Sequence, residues 1–204
     1  MLFSDSFFTV SKQAEVLFKD RGSKFYAFCY RLRSESEIKE KLLELKKQHP
    51  SATHQCYAWR LGPDKQAFRV NDDGEPSGTA GKPIFGQIQA HNLSNVLIVV
   101  VRYFGGTQLG VPGLIHAYRT AAAEAIALAG IEEEFILFEY RAEFGMDDTS
   151  SVMRLLKELD AKIISNNYHE NNILVFHVKK QNSDTLEERM KELYRVKLKF
   201  ITLV

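Results

Sequence analysis

The side chains best equipped for chemistry in this 204-residue chain fall in three short stretches. The first holds His54 and Cys56, alternate residues of HQCYAWRL. The second, residues 71–83 (NDDGEPSGTAGKP), gathers Asp72, Asp73 and Glu75 around Gly74, with Lys82 near its end. The third, residues 96–113 (VLIVVVRYFGGTQLGVPG), runs from six apolar residues into Arg102, two aromatics, Gly105 and Gly106. Three carboxylates offer oxygen ligands to a hard cation such as magnesium, or a general base to pair with His54 as acid or base. A glycine-rich loop ahead of a helix lets a ligand approach the backbone and places it at the helix's positive end. Arg102, with Arg119 about two turns down that helix, would add charge for a phosphate, carboxylate or acidic side chain. Each feature also has a plain structural reading. The acids cap turns and the following helix, the glycines permit a tight strand-to-helix turn, and Arg102 pairs with Asp72 or Asp73.

Familiar templates narrow the choice. A phosphate-binding P-loop fails: counting back from Gly81-Lys82, its first glycine position holds Pro76, and Pro83 stands at its Ser/Thr position. A nucleophile elbow around Ser77 fails because Glu75 stands where glycine is required. His54 and Cys56 have no second Cys pair or matching His to complete a zinc site, so packing or cleft lining is favoured over metal. No cofactor is expected. Asp72 and Asp73 remain the lesser, magnesium-type alternative to an amide-capping role.

The elements that must position these groups are readable from periodicity. Residues 14–18 and 24–32 alternate as strands, with Gly22 in the turn. Tyr26, Phe28 and Tyr30 share a face; packing under a helix is favoured over base stacking. Ser34 and Glu37 suggest a capping box opening a helix striped by Ile38, Leu42, Leu43 and Leu45, with Lys46 and Lys47 in its last turn. Residues 54–61 form a strand with His54, Cys56, Ala58 and Arg60 on one face, and 67–70 return. Thr79 is a candidate N-cap for a helix through Ile84 and Ile88. Residues 96–101 read as a strand buried on both faces. Pro112 opens an alanine-rich helix made for close approach to a sheet, ending at Gly130. From Glu139 the order is βαββαβ, with helices at 149–159 and through Leu186, Met190, Leu193 and Tyr194. Strands at 162–168 and 172–179 are joined by an Asn-rich turn. That order is the ferredoxin-like unit.

Bulk properties exclude several classes. With 27 Lys and Arg against 26 Asp and Glu, the net charge of +1 exerts no global pull on nucleic acid or membrane. Two cysteines make no disulfide framework and suit a reducing compartment. Neither a leader with a basic start and long apolar core nor a membrane-length apolar run is seen. A cytoplasmic protein is expected.

Taken together, the three stretches resemble the YigZ/IMPACT family, in its bacterial YigZ-like branch. The match rests on HQCYA from His54, NDDGEPSGTAGKP from Asn71, VVVRYFGG from Val99, and Leu109-Gly110, Gly113-Leu114 and Ala117-Tyr118. Phe85 and Val111-Pro112 depart from the family pattern, the latter reducing backbone access to the glycine loop. The resemblance implies a two-domain α+β protein. Residues 1–138 would be similar to the second domain of a small-subunit ribosomal protein, and residues 139–204 to a ferredoxin-like domain of an elongation factor G. It also implies translation control, since eukaryotic relatives are linked to initiation under amino-acid starvation.

The favoured expectation is a non-catalytic protein binding RNA, the ribosome or a translation-related protein, without membrane association or DNA specificity. Its ligand-binding residues would be His54, Asp73, Glu75, Lys82, Arg102, Gly105, Gly106 and Arg119. The alternative is a small hydrolase or phosphoester enzyme using His54, Asp72, Asp73 and Glu75, with or without a divalent metal.

Overall fold

The computed structural model describes residues 4–168 and 172–203, which form two compact units. In the first, β1 (Ser6–Val10), β2 (Ala14–Asp20), β3 (Ser23–Arg31), α1 (Glu35–Gln48), β4 (His54–Leu61), β5 (Ala67–Asn71), α2 (Gly81–Ala90), β6 (Val96–Tyr103), α3 (Gly110–Ala129) and β7 (Ile131–Phe135) follow in order. In the second come β8 (Leu137–Phe144), α4 (Thr149–Glu158), β9 (Lys162–Tyr168), β10 (Asn172–Lys179), α5 (Ser183–Lys191) and β11 (Lys197–Leu203). The break in packing falls between Glu134 and Phe135, with residues 4–6 grouping with the second unit.

The first unit is built on an antiparallel sheet of order β2-β3-β6-β4-β5. Its central strand β6 has every residue from Val96 to Val101 fully buried. Period-two alternation divides them: Val96, Ile98 and Val100 pack with α2 and α3, while Leu97, Val99 and Val101 pack with α1. The alanines of α3 at 117, 121, 122, 125 and 129 lie fully buried against β2 and β3, where small side chains permit close approach. Tyr26, Phe28 and Tyr30 belong to the α1-side core and form no exposed stacking platform.

Several local expectations change. Ser34 makes no cap to the α1 backbone: its hydroxyl meets Ser36, and Glu37 reaches back to the Arg33 amide. Leu43 is exposed, because α1 turns only Ile38 and Leu45 fully inward. Thr79 donates its hydroxyl to the Pro76 carbonyl instead of capping α2. Helix α5 stops at Lys191, leaving Tyr194 almost wholly exposed beyond it. A two-stranded sheet of β1 and β7 was missed, since β7 carries three consecutive glutamates that mask any strand pattern.

The second unit has sheet order β11-β8-β10-β9, all antiparallel, with Tyr140, Ala142, Phe144, Leu174, Phe176 and Val178 meeting the stripes of α4 and α5. This is the strand order of a ferredoxin-like βαββαβ fold. The Asn-rich turn between β9 and β10 lies outside the described residues. No helix among the described residues is long and apolar enough to cross a membrane.

One backbone contact fixes the loop after β6. A Cβ on Gly105 would lie 1.9 Å from the Gly22 carbonyl carbon, so the β2–β3 turn and the β6 loop touch main chain to main chain. Replacing Gly105 with Ala should cost about 3 kcal/mol or more by overpacking. Gly86, inside α2 with nothing within 4 Å of a built Cβ, should instead gain up to about 1 kcal/mol as Ala. Urea unfolding of the two variants should move the midpoint in opposite directions.

Candidate functional site

Strand register assembles the site. On β4 and β6, His54 pairs opposite Arg102 and Cys56 opposite Val100, all on the face covered by α2 and α3. Two further pieces close over that face. One is the loop carrying Glu75, and the other is α3, whose inward stripe of Leu114, Tyr118 and Ala122 aims a phenol at the sheet.

Glu75 is the centre of the arrangement, with its side chain only 3% exposed. Its Oε1 accepts from Arg102 Nη1 at 2.6 Å and from the Tyr118 hydroxyl at 2.8 Å, and lies 3.8 Å from His54 Nε2. Arg102 is itself buried, its guanidinium carbon 5.4 Å from the Phe25 ring centroid and 5.6 Å from that of Phe104. Arg102 therefore pairs with Glu75, in place of Asp72 or Asp73. Its charge is already neutralised, so it does not serve as a free anion receptor. The Cys56 thiol sits 3.0 Å from the Asp72 carbonyl and 3.3 Å from the Tyr118 oxygen. Burial pushes both the Cys56 thiol and the Tyr118 phenol well up, so both stay protonated and act as donors.

The two aspartates hold backbone. Asp72 accepts amides from Gly78 on Oδ2 and from Ala80 and Gly81 on Oδ1, capping α2 from outside the helix. Burial alone would raise its carboxyl, but those amides, together with Lys82, bring it below the ordinary value of 3.8. Asp73, in the left-handed region at φ 42°, accepts the Gln55 amide on Oδ2 at 2.6 Å. Its carbonyl meets His54 Nδ1 at 2.8 Å. A carbonyl can only accept, so Nδ1 carries a proton, and the ring turns Nε2 toward Glu75. Both carboxylate oxygens of Asp72 and one of Asp73 thus sit on amides, while Glu75 faces elsewhere. The three acids do not converge as a cation cage.

A pocket of about 400 Å³ opens at this point, lined by His54, Glu75 and Arg102 together with Phe104, Leu109, Val111 and others. Gly110 and Val111 bring the amino-terminal end of α3 to its wall. Lys82 and Arg119 are exposed and stand outside that lining, while Gly105 and Gly106 shape the adjoining loop. Sequence reasoning missed Tyr118 as a partner of Glu75; its spacing of four from Leu114 on an apolar helical stripe was the available signal. Chemically, His54 is oriented as an acid or base would be. Yet among the described pocket residues the one hydroxyl, on Thr53, already accepts the Phe104 amide.

Two α+β units, the first carrying a pocket over a buried ion pair, define a two-domain α+β protein. The chain belongs to the IMPACT family: residues 21–126 match the Impact N-terminal domain. It is 32% identical to the IMPACT family member YvyE of Bacillus subtilis over 188 residues, covering 92% of this chain and 87% of that one. It is 37% identical to the IMPACT family member YigZ of Escherichia coli over 123 residues, covering 59% of this chain and 60% of that protein. A solved crystal structure described only as that of a hypothetical protein superposes with a TM-score of 0.75 at 27% identity, covering 98% of this chain and 99% of the other.

Two measurements follow from this geometry. Arg102→Ala leaves a carboxylate buried without its counter-charge and should cost about 3–5 kcal/mol in urea unfolding. The pair Arg102→Met with Glu75→Gln should recover much of that loss. Asp72→Asn should lose about 1–2 kcal/mol at neutral pH. Because the native Asp72 carboxyl is depressed, its contribution is full above the unfolded value of 3.8 and disappears as acidification passes through the native one. Unfolding curves of wild type and Asp72→Asn should therefore converge only at the acid end.

Proposed function

We propose that this chain is a non-catalytic, cytoplasmic binding protein that acts in the regulation of translation and contacts RNA, free or within the ribosome, through the pocket and rim of its first unit. Membership of the IMPACT family supports the regulatory role. The observation that carries the binding reading is the state of the pocket's polar groups. Glu75 is held by Arg102 and Tyr118, Asp72 and Asp73 hold amides, and the Cys56 thiol is kept protonated. Such groups recognise a ligand without a ready nucleophile among them.

The rim favours nucleic acid over protein. Arg21 and Lys24 are exposed on the β2–β3 hairpin and form no ion pair among the described residues. The hairpin turn packs on Gly105, and Lys24 pairs in register with Tyr103, next to Phe104 at the pocket. Free cations beside an aromatic-lined pocket are the arrangement that positions a phosphate backbone while a base is held.

Retention of ribosomes and of total RNA on the immobilised protein, measured across a salt series, tests this reading. Binding should fall steeply with salt, because each phosphate contact releases counterions. Arg21→Glu with Lys24→Glu should weaken retention and flatten the slope by about 1–2. Salt-insensitive retention would point to a protein partner. No retention of either species at low ionic strength would reject the proposal.

A further inference from the structure

Strand register fixes what the second unit shows on the side of its sheet that α4 and α5 leave uncovered. The even-numbered residues of β8 and β10 turn toward the helices, so alternation puts Glu139, Arg141 and Glu143 on the other face. Pairing of β11 with β8 adds Lys197 opposite Glu143 and Lys199 opposite Arg141. Pairing of β9 with β10 adds Lys162 opposite His177. Among the described residues no aromatic ring of β8, β10 or β11 joins them, because Phe138, Tyr140, Phe144, Phe176 and Phe200 lie on the helix side.

The charges on this face are out of balance. Lys199 stands directly opposite Arg141, a like-charge pair that detracts from sheet stability. Glu143 lies 3.7 Å from Arg141 and in register with Lys197, so one carboxylate stands among three cations. Glu139 is held by His177 at 2.9 Å, beside Lys162. Lys162, Lys197 and Lys199 are exposed and form no ion pair among the described residues. An anion from outside the chain would supply what the face lacks.

Spacing and composition narrow that anion. Alternate residues of a strand, such as Lys197 and Lys199, lie about 7 Å apart, and the neighbouring strand that carries Arg141 runs about 5 Å away. A row of this kind suits a chain of repeated charges better than one carboxylate. With no ring offered, the face has no means of stacking a splayed base. Duplex RNA keeps its bases paired inside and is recognised through phosphates, 2′-hydroxyls and shape. Ser165, opposite Val175, and Thr202, opposite Glu139, add hydroxyls to the same face.

We infer that the helix-free face of the second unit binds the phosphate backbone of an RNA duplex, with Arg141, Lys162, Lys197 and Lys199 as its cations. This rests on the proposed RNA-binding function and adds a second contact surface to it. Paired RNA is held there, and an unpaired segment at the first unit's pocket.

Fluorescence anisotropy on the full chain, with an end-labelled RNA duplex of about 16 base pairs, tests the inference. Lys197→Glu with Lys199→Glu should weaken duplex binding about tenfold or more and lower the salt slope by about 1–2. Lys157→Glu with Lys191→Glu makes the same change in net charge on exposed positions of α4 and α5. That pair should leave the affinity within about twofold at 0.15 M salt, where exposed charges more than about 8 Å apart are largely screened. The unfolding midpoints of both double variants are checked in parallel. Equal weakening by the two pairs, or no weakening by either, overturns the inference. So does loss of binding to phosphatidylserine vesicles in the Lys197 and Lys199 variant while its duplex affinity persists, which would assign the face to a membrane surface. If Arg21→Glu with Lys24→Glu abolishes ribosome retention while the Lys197 and Lys199 variant binds duplex normally, the proposed function stands and the second surface falls. If only the second-unit variant weakens both duplex binding and ribosome retention, the second surface stands and the pocket reading falls. If neither duplex nor ribosomes bind, both fall.

Discussion

The buried ion pair between Glu75 and Arg102 is the interaction on which the first unit's functional face depends. Two charges withdrawn from water cost several kcal/mol each unless attraction and hydrogen bonds compensate. Beyond the mutual attraction of the pair, the compensation comes from Tyr118 on α3, which donates to Glu75, and from the rings of Phe25 on β3 and Phe104 after β6, which flank the guanidinium. None of those elements can shift without exposing a charge to an unmatched interior. The pair therefore ties the glycine-rich loop to the sheet and helix, and Asp72 and Asp73 set that loop's path by holding its amides and that of Gln55. Gly81 completes the constraint, since a side chain there would collide with the Asn71 backbone, its Cβ 2.7 Å from the amide nitrogen. A loop that looks irregular in sequence is held at both ends and in the middle.

Much of the scaffold was legible because burial leaves a periodic trace. The apolar run of β6 could be recognised as buried on both faces, since nothing but packing on each side accommodates six such residues in succession. The stripes of α3 and α4 and the alternation of β10 were equally plain. What the pattern could not show was how chemically similar residues divide their work. Asp72, Asp73 and Glu75 are near neighbours of one type, yet one caps α2, one holds β4 and one is buried against Arg102. That division depends on loop dihedrals, including a non-glycine left-handed residue at Asp73, which carry no hydropathy signal. The same limit explains the wrong partner assigned to Arg102. Nothing in the spacing of the three acids told which carboxylate oxygen the folded loop would bring within 2.6 Å of Arg102. The misplaced end of α5 has a different cause: Leu193 and Tyr194 continue an apolar count, but Tyr194 finds nothing to pack against and stands in solvent.

The two units use their aromatics differently, and this bears on where recognition can occur. In the second unit, Tyr140 and Phe176 stack at a centroid distance of 6.1 Å on the helix-covered face of the central strands. Alternation then turns Arg141, Glu139, Val175 and His177 to the opposite face. His177 and Glu139 already satisfy each other at 2.9 Å. The stacking surface that some ferredoxin-like sheets offer to single-stranded RNA is thus built from the wrong residue types here. In the first unit, Phe104 remains partly exposed at the pocket, which is where the proposed RNA-binding function puts the ligand.

Separating a neutral pocket from a charged rim has a consequence for selectivity. Under the proposed RNA-binding function, attraction of Arg21 and Lys24 for phosphate would act at any sequence and weaken with salt, because exposed charges are screened within about 8–10 Å under ordinary ionic strength. Hydrogen bonds made by a carboxylate that is only 3% exposed lie largely out of reach of that screening. Under the proposed RNA-binding function, rising salt therefore removes the rim's contribution faster than that of a group hydrogen-bonded to Glu75. Had Arg102 been left free, as its sequence context suggested, the pocket would attract any phosphate and the distinction would be lost. The internal salt bridge cancels the charge of the residue that seemed the obvious anion receptor, so Arg102 acts here by holding Glu75 in place.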